Sequence, residues 1–258
     1  MFRSSNPVLN QDHINEAIGH SYAGTNTMTL QGTAIKTSFL VALVGIAGAV
    51  PWTLIDPMEG EAANMQYAFP FMIGGMISSF ILGIFIYFSP RQSTWAAPLY
   101  AILEGLFVGA VSAWVQAAYL TAAPGIIFQA VCLTFGTLFA MMTAYNTGLI
   151  KATEKFKTGV FAATGAICLV YLISFVMRMF GSEMPFLHDS GVIGIGISVV
   201  IVVVAALFLI IDFDMIEQNI KAGAPKYMEW YGAYALLVTL VWLYLEILRL
   251  LMKLSDRD

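Results

Sequence analysis

Seven apolar stretches dominate this chain, at residues 36–55, 67–88, 96–120, 124–145, 158–180, 190–214 and 230–252. Each reaches the length of about 20 residues that a helix needs to cross a hydrocarbon core of about 30 Å. Lipid offers no hydrogen bonds, so a spanning segment has to satisfy its backbone internally, which a helix does. The expected fold is therefore an all-α integral membrane bundle of seven transmembrane helices. The connections are short and often opened by proline, as at Pro57, Pro90, Pro124 and Pro225, so consecutive helices are antiparallel neighbours. No room is left for a second domain. Composition agrees: 11% of the residues are charged and 59% hydrophobic, against about 25% charged in a soluble domain. A net charge of −4 without a basic stripe argues against a nucleic-acid partner.

Residues 1–35 are polar and lack the basic start, apolar core and small-residue cleavage site of a signal peptide. They read as a cytoplasmic N-terminal tail ahead of a transmembrane domain at 36–258. Short-loop bases support that orientation. With the N-terminus inside, Arg3, Lys36, Arg91, Lys151, Lys155, Lys157, Lys221 and Lys226 are cytoplasmic, while Arg178, Arg249, Lys253 and Arg257 are outside. A re-entrant last segment would move the final three of these inside. Seven full spans are preferred, because 230–252 is long enough and Trp230, Tyr231 and Tyr234 suit an interfacial belt. The absence of an organelle-targeting signal fits a multi-pass protein of a bacterial inner (plasma) membrane.

Two carboxylates interrupt the last apolar runs: Asp212 in LFLIIDFDMIEQ and Glu246 in LVWLYLEILRLLMK. An acid near the bilayer centre costs about 2.5–3.5 kcal/mol on insertion scales, so such groups face the bundle interior or a water-filled path. Arg249 lies three residues beyond Glu246, so a local ion pair is the structural alternative. Glu104 sits near the middle of helix three and is a possible further member of an ion path. Asp214 and Glu217 read first as the solvated end of helix six, which is expected to continue through MIEQNI, and Asp214 is the weaker ion-path candidate. Arg178 reads as a snorkelling base. If Asp212 and Glu246 meet, they share a proton and latch helix six to helix seven at low pH; repulsion opens the latch at higher pH. The exposed carboxylates are then hard ligands for a cation such as Ca²⁺.

Other residues have plainer readings. Ala101, Gly105, Gly109, Ala113 and Ala117 place a small residue at every fourth position of helix three, a close-packing ridge. Gly191, Gly194 and Gly196 read as close packing at the start of helix six. Cys132 and Cys168 read as buried, reduced thiols. His13 and His20 fall in the tail and His188 in an outer loop, leaving no membrane-embedded Ser/His or metal constellation, so no enzymatic function is expected.

The stretch from about Gly194 onward, through LFLIIDFDMIEQNI and YGAYALLVTLVWLYLEILRLLMKL, resembles the Bax inhibitor-1 (transmembrane Bax inhibitor motif) family. MTLQGTAIKTSFL and MTAYNTGLIKATEKFKTGV extend the likeness to a bacterial branch. That resemblance implies seven helices with the last one central. It also implies a pH-sensitive Ca²⁺ leak gated by an acid on each of helices six and seven, matched here by Asp212 and Glu246. The chain departs from the pattern in carrying Glu in helix seven, where Asp is familiar. It also lacks the acid and arginine that some members carry on helix two, since MIGGMISSFILGIFIYFSP is uncharged and Arg91 lies beyond it.

The leading expectation is a pH-sensitive Ca²⁺ leak channel or Ca²⁺/H⁺ exchanger. Ca²⁺ and H⁺ are transported ions, Asp212 and Glu246 the candidate Ca²⁺ ligands, and no cofactor is required. The alternative is a non-conducting membrane protein that modulates a membrane protease or a stress response, with its tail as the docking element for a protein partner.

Overall fold

A computed structural model describes residues 27–182 and 190–257. His13, His20 and His188, and residues 1–26 of the polar tail, lie outside the described residues. Seven helices long and apolar enough to cross a membrane follow one another. They are α1 (Leu30–Ile55), α2 (Ala68–Phe88), α3 (Ser93–Ala118), α4 (Ile126–Asn146), α5 (Glu154–Met179), α6 (Val192–Lys221) and α7 (Met228–Ser255). Short 3₁₀ turns at Pro57–Ala62, Met65–Tyr67 and Pro90–Gln92 join the first three. The end where α1 begins and α7 begins is called the N-face; α7 ends on the opposite C-face. A continuous 28-residue α7 rules out the re-entrant alternative, so the described ends of the chain lie on opposite faces.

Helix boundaries follow local chemistry. α1 starts six residues earlier than hydropathy indicates, inside the stretch assigned to the tail, because Thr29 caps it: the Gly32 amide donates to Thr29 Oγ1 at 3.0 Å. α6 runs through MIEQNI to Lys221 as expected. Its last two turns are polar and project beyond the apolar run.

The last helix is central. α7 packs against α1, α3, α4 and α6, and Leu237, Leu240, Leu243, Ile247 and Leu248 are buried along it. Outward, Phe69, Phe80, Phe128, Phe139 and Phe175 are among many large apolar side chains left exposed. Such a belt belongs against acyl chains, not water. Cys132 and Cys168 belong to it too: both thiols are free but exposed, which corrects their assignment to the interior. Their apolar surroundings come from the lipid-facing surface of α4 and α5.

The helix-three ridge does what its spacing predicts. A Cβ on Gly109 would fall 2.3 Å from the Gly48 carbonyl oxygen, and one on Gly105 would fall 2.6 Å from the Val44 carbonyl oxygen. α1 and α3 therefore touch backbone to backbone. The glycines opening α6 behave otherwise: a Cβ on Gly196 would meet nothing within 4 Å, and Gly194 contributes a carbonyl acceptor, described below.

Two substitutions separate these cases. Gly109→Ala is expected to lower the thermal unfolding temperature in detergent by several degrees or abolish folded protein, since backbone has to move. Gly136→Ala, where a Cβ meets nothing within 4 Å, is expected to be neutral or to raise stability by up to about 1 kcal/mol. Equal behaviour of the two would refute the close-contact account of α1 and α3.

Candidate functional site: a polar seam between α5, α6 and α7

Polar residues on α7 recur every seven positions. Thr239, Glu246 and Lys253 share one face, with Gly232 one step earlier, because seven residues make nearly two whole turns. α6 answers with Ser198, Ala205 and Asp212, also seven apart, and α5 with Lys157, Thr164 and Tyr171. Two contacts fix the antiparallel register of α6 on α7. Thr239 Oγ1 donates to Asp212 Oδ2 at 2.6 Å, and Lys253 Nζ donates to Ser198 Oγ at 2.9 Å. The same register sets the buried Ala205 opposite Glu246, leaving room for the larger side chain. From Thr239 to Lys253 the polar stripe runs about 21 Å, and Gly232 continues the same face toward the N-face.

The two carboxylates are brought to one seam but not to each other. Asp212 is 4% exposed and accepts the Thr239 hydroxyl. Glu246 is 2% exposed and lies two turns away, about 10.5 Å along α7 from Thr239. It accepts from Tyr171 Oη at 2.9 Å to both of its oxygens, from Arg249 Nη1 at 3.0 and 3.2 Å, and from Trp242 Nε1 at 3.3 Å. The Arg249 guanidinium also lies over the Tyr171 ring, 4.9 Å from its centroid, and donates to its hydroxyl. The expected direct latch between Asp212 and Glu246 is thus replaced by two separate sites, and the local Glu246–Arg249 pair forms. The reason is register: α6 presents Ala205, not Asp212, at the level of Glu246.

Their surroundings make the carboxylates chemically unequal. Glu246 is surrounded by donors from two helices and carries a counter-charge. Asp212 has one hydroxyl partner and, among the described residues, no cation beside it. Thr164 Oγ1 on α5 is buried without a hydrogen-bond partner among the described residues.

Other predicted residues lie off the stripe. Asp214 faces away from Asp212. It meets Lys157 Nζ at 2.7 Å and Gln218 Nε2 at 2.5 Å on the N-face, beside Glu217, which contacts Lys221 and the Tyr145 hydroxyl. This is the polar helix end its sequence context suggests. Glu104 is buried in another sector, next to the Ser79 and Tyr100 hydroxyls of α2 and α3. Arg178 is exposed at the end of α5.

Several members of the seam were not singled out by sequence. Lys253, counted among the outer bases, is 5% exposed; its ammonium also donates to the Gly194 carbonyl at 3.0 Å. Near it, Asp256 accepts from Tyr119 Oη at 2.8 Å and Ser190 Oγ at 3.3 Å. Burial, then that carboxylate, pushes the Tyr119 phenol up to about 12. Thr239 and Tyr171 are ordinary helix residues in isolation. Only the seven-residue spacing shared by three helices marks them.

Among the described residues no group of three or more His, Cys, Asp or Glu is placed to hold a metal ion. What the seam offers is a line of oxygens, two of them carboxylates, with a cation at its C-face end.

The inequality predicts different costs. Glu246→Gln leaves Arg249 without its counter-charge inside the membrane and should lower the unfolding temperature in detergent by several degrees, the effect of about 1–3 kcal/mol. Asp212→Asn keeps an acceptor for Thr239 and should change it little. A larger loss in Asp212→Asn would reverse this ranking.

A family model described as Bax inhibitor 1 like matches residues 6–256. Comparison with the curated proteins finds no match, and comparison with the solved structures finds none.

Proposed function

The chain belongs to the Bax inhibitor 1 like family, and from that premise we propose that it is a pH-sensitive cation leak, with Ca²⁺ as the permeant ion, running along the α6–α7 seam. One observation carries the reading: two buried carboxylates, Asp212 and Glu246, lie along one α6–α7 seam inside the span, where α7 carries polar residues from Thr239 to Lys253 over about 21 Å. Buried acids in membrane helices mark ion or proton paths, and carboxylate and hydroxyl oxygens are the hard donors Ca²⁺ takes.

The roles differ. Asp212, with a single hydrogen bond, is the ion ligand: ionised it attracts a cation, protonated it does not. Glu246 is the gating group. Its bonds to Tyr171 tie α5 to α7, and Arg249 of its own helix supplies the counter-charge. A Ca²⁺/H⁺ exchange mode uses the same residue, since Ca²⁺ binding at Asp212 displaces its proton. Residues of the N-face, with Lys36, Arg91, Lys151, Lys155, Lys157, Lys221 and Lys226, are proposed to be cytoplasmic, in a bacterial inner membrane.

The test is Ca²⁺ flux into proteoliposomes of the purified protein between pH 6 and 8. Flux through the native chain is expected to rise with pH as Asp212 ionises. Asp212→Asn should hold it low at every pH and so remove the pH response, whereas Glu246→Gln, which weakens the tie between α5 and α7, should change the level of flux and keep its rise with pH. An unchanged pH response in Asp212→Asn refutes the proposal. Native protein that moves no Ca²⁺ at any pH refutes it too, and returns the protein to the class of non-conducting modulators.

A further inference from the structure

The N-face end of the seam is covered by three residues that belong to no helix. Thr27 pairs with Pro225 in an antiparallel bridge, and the Met28 amide donates to the Ala224 carbonyl at 2.7 Å. This extended strap therefore lies across the connection between α6 and α7. Met28 is 3% exposed, and its Cε lies 3.2 Å from where a Cβ on Gly232 would stand. Ile216 Cγ1 approaches the same point at 3.1 Å. Gly232 lies one step before the α7 stripe on the same face, and Ile216 is one turn of α6 from Asp212. The methionine thus fills the seam at its mouth, and only a few buried side chains, Leu236 among them, separate it from Asp212 and Thr239.

A clasp holds the strap. Glu229, on the first turn of α7, is fully buried. Its Oε1 accepts from the Thr29 amide at 3.0 Å and the Thr29 hydroxyl at 2.8 Å, and its Oε2 pairs with Lys36 Nζ. Lys36 stands over the Trp230 ring, 5.4 Å from its centroid. Gly32 makes the arrangement possible, since a Cβ there would fall 2.3 Å from Glu229 Oε1. The strap is tied down by side-chain bonds at a helix end, where local opening is cheapest.

We propose that Thr27–Thr29 is a releasable plug: Met28 closes the N-face mouth of the α6–α7 seam, the Glu229–Lys36–Thr29 clasp keeps it seated, and its release admits water and ions toward Asp212. The consequence for transport rests on the reading of Asp212 as an ion ligand. Closure itself does not, so the experiment reads accessibility and not flux.

In a Cys132→Ser/Cys168→Ser background, Leu236→Cys places a thiol behind the plug. Its reaction with a charged, membrane-impermeant methanethiosulfonate added to the N-face of reconstituted vesicles should be slow. Adding Met28→Ser, or separately Thr29→Ala or Glu229→Gln, should speed it about tenfold or more, as expected when burial of one apolar side chain no longer opposes opening. Ala113→Cys, buried against α1 far from the strap, should stay slow in the same variants. Leu236→Cys rates that stay within twofold of the parent in all three variants overturn the plug. Equal acceleration at Ala113→Cys also overturns it, because the variants then loosen the bundle rather than open a mouth.

Discussion

A single physical constraint organises this molecule: polar groups carried through hydrocarbon must find their partners inside the protein. α7 carries Thr239, Glu246 and Lys253 across the membrane on one face, and the opposing helices supply what each needs. Asp212 takes the first hydroxyl. Tyr171 crosses from α5 to the glutamate, and Ser198 with the Gly194 carbonyl receives the lysine. The central position of α7 follows, since a helix with this stripe is unstable at the lipid surface. Apolar packing then needs only to bring the other helices close. The backbone contact of α1 and α3 at Gly48, Gly105 and Gly109 does that on the far side of α7.

The fold was legible in the sequence because its signal is long and redundant. Apolar runs of about 20 residues separated by short turns admit few arrangements, and all seven spans appear where hydropathy puts them, with the largest end shifts at the start of α1 and the end of α6. Asp212 and Glu246 were legible for the same reason, as charges in a setting that tolerates few. Their partners were not. A threonine or tyrosine in a helix carries no mark of what it faces, and Thr239 and Tyr171 gain meaning only when α5 and α6 are set in register against α7. Lys253 misled because its position near the chain end suggests a headgroup contact, whereas its ammonium turns inward to oxygens on α6. The burial of Glu229 had no sequence mark either: it is an ordinary acid in a first turn, and only Gly32 opposite it admits its carboxylate.

The register also changes the chemistry that two intramembrane acids suggest. Directly paired carboxylates share a proton and behave as one titrating unit. Two carboxylates separated by two helical turns, one with a counter-cation and one without among the described residues, occupy different environments. Glu246 is held by Arg249 of its own helix and by Tyr171 of α5, so its carboxylate joins those two helices. Asp212 has no such counterweight among the described residues, and its charge responds to whatever reaches it along the seam. In the proposed leak, a cation at Asp212 competes with one hydroxyl, while one at Glu246 has to displace Arg249 and Tyr171.

That asymmetry bears on direction. The C-face end of the stripe holds the Lys253 ammonium, already seated on the carbonyl and hydroxyl oxygens that a permeating cation would use. The N-face end is closed by an uncharged methionine side chain. The lysine occupies the oxygens that a cation would need there, whereas an apolar plug resists only until it moves. The two mouths thus differ in kind, and movement of the Thr27–Thr29 strap is the cheaper of the two ways to expose Asp212. In a conducting molecule the N-face mouth is the one suited to regulation, because its clasp joins α1 to α7 and lies directly after the N-terminal segment.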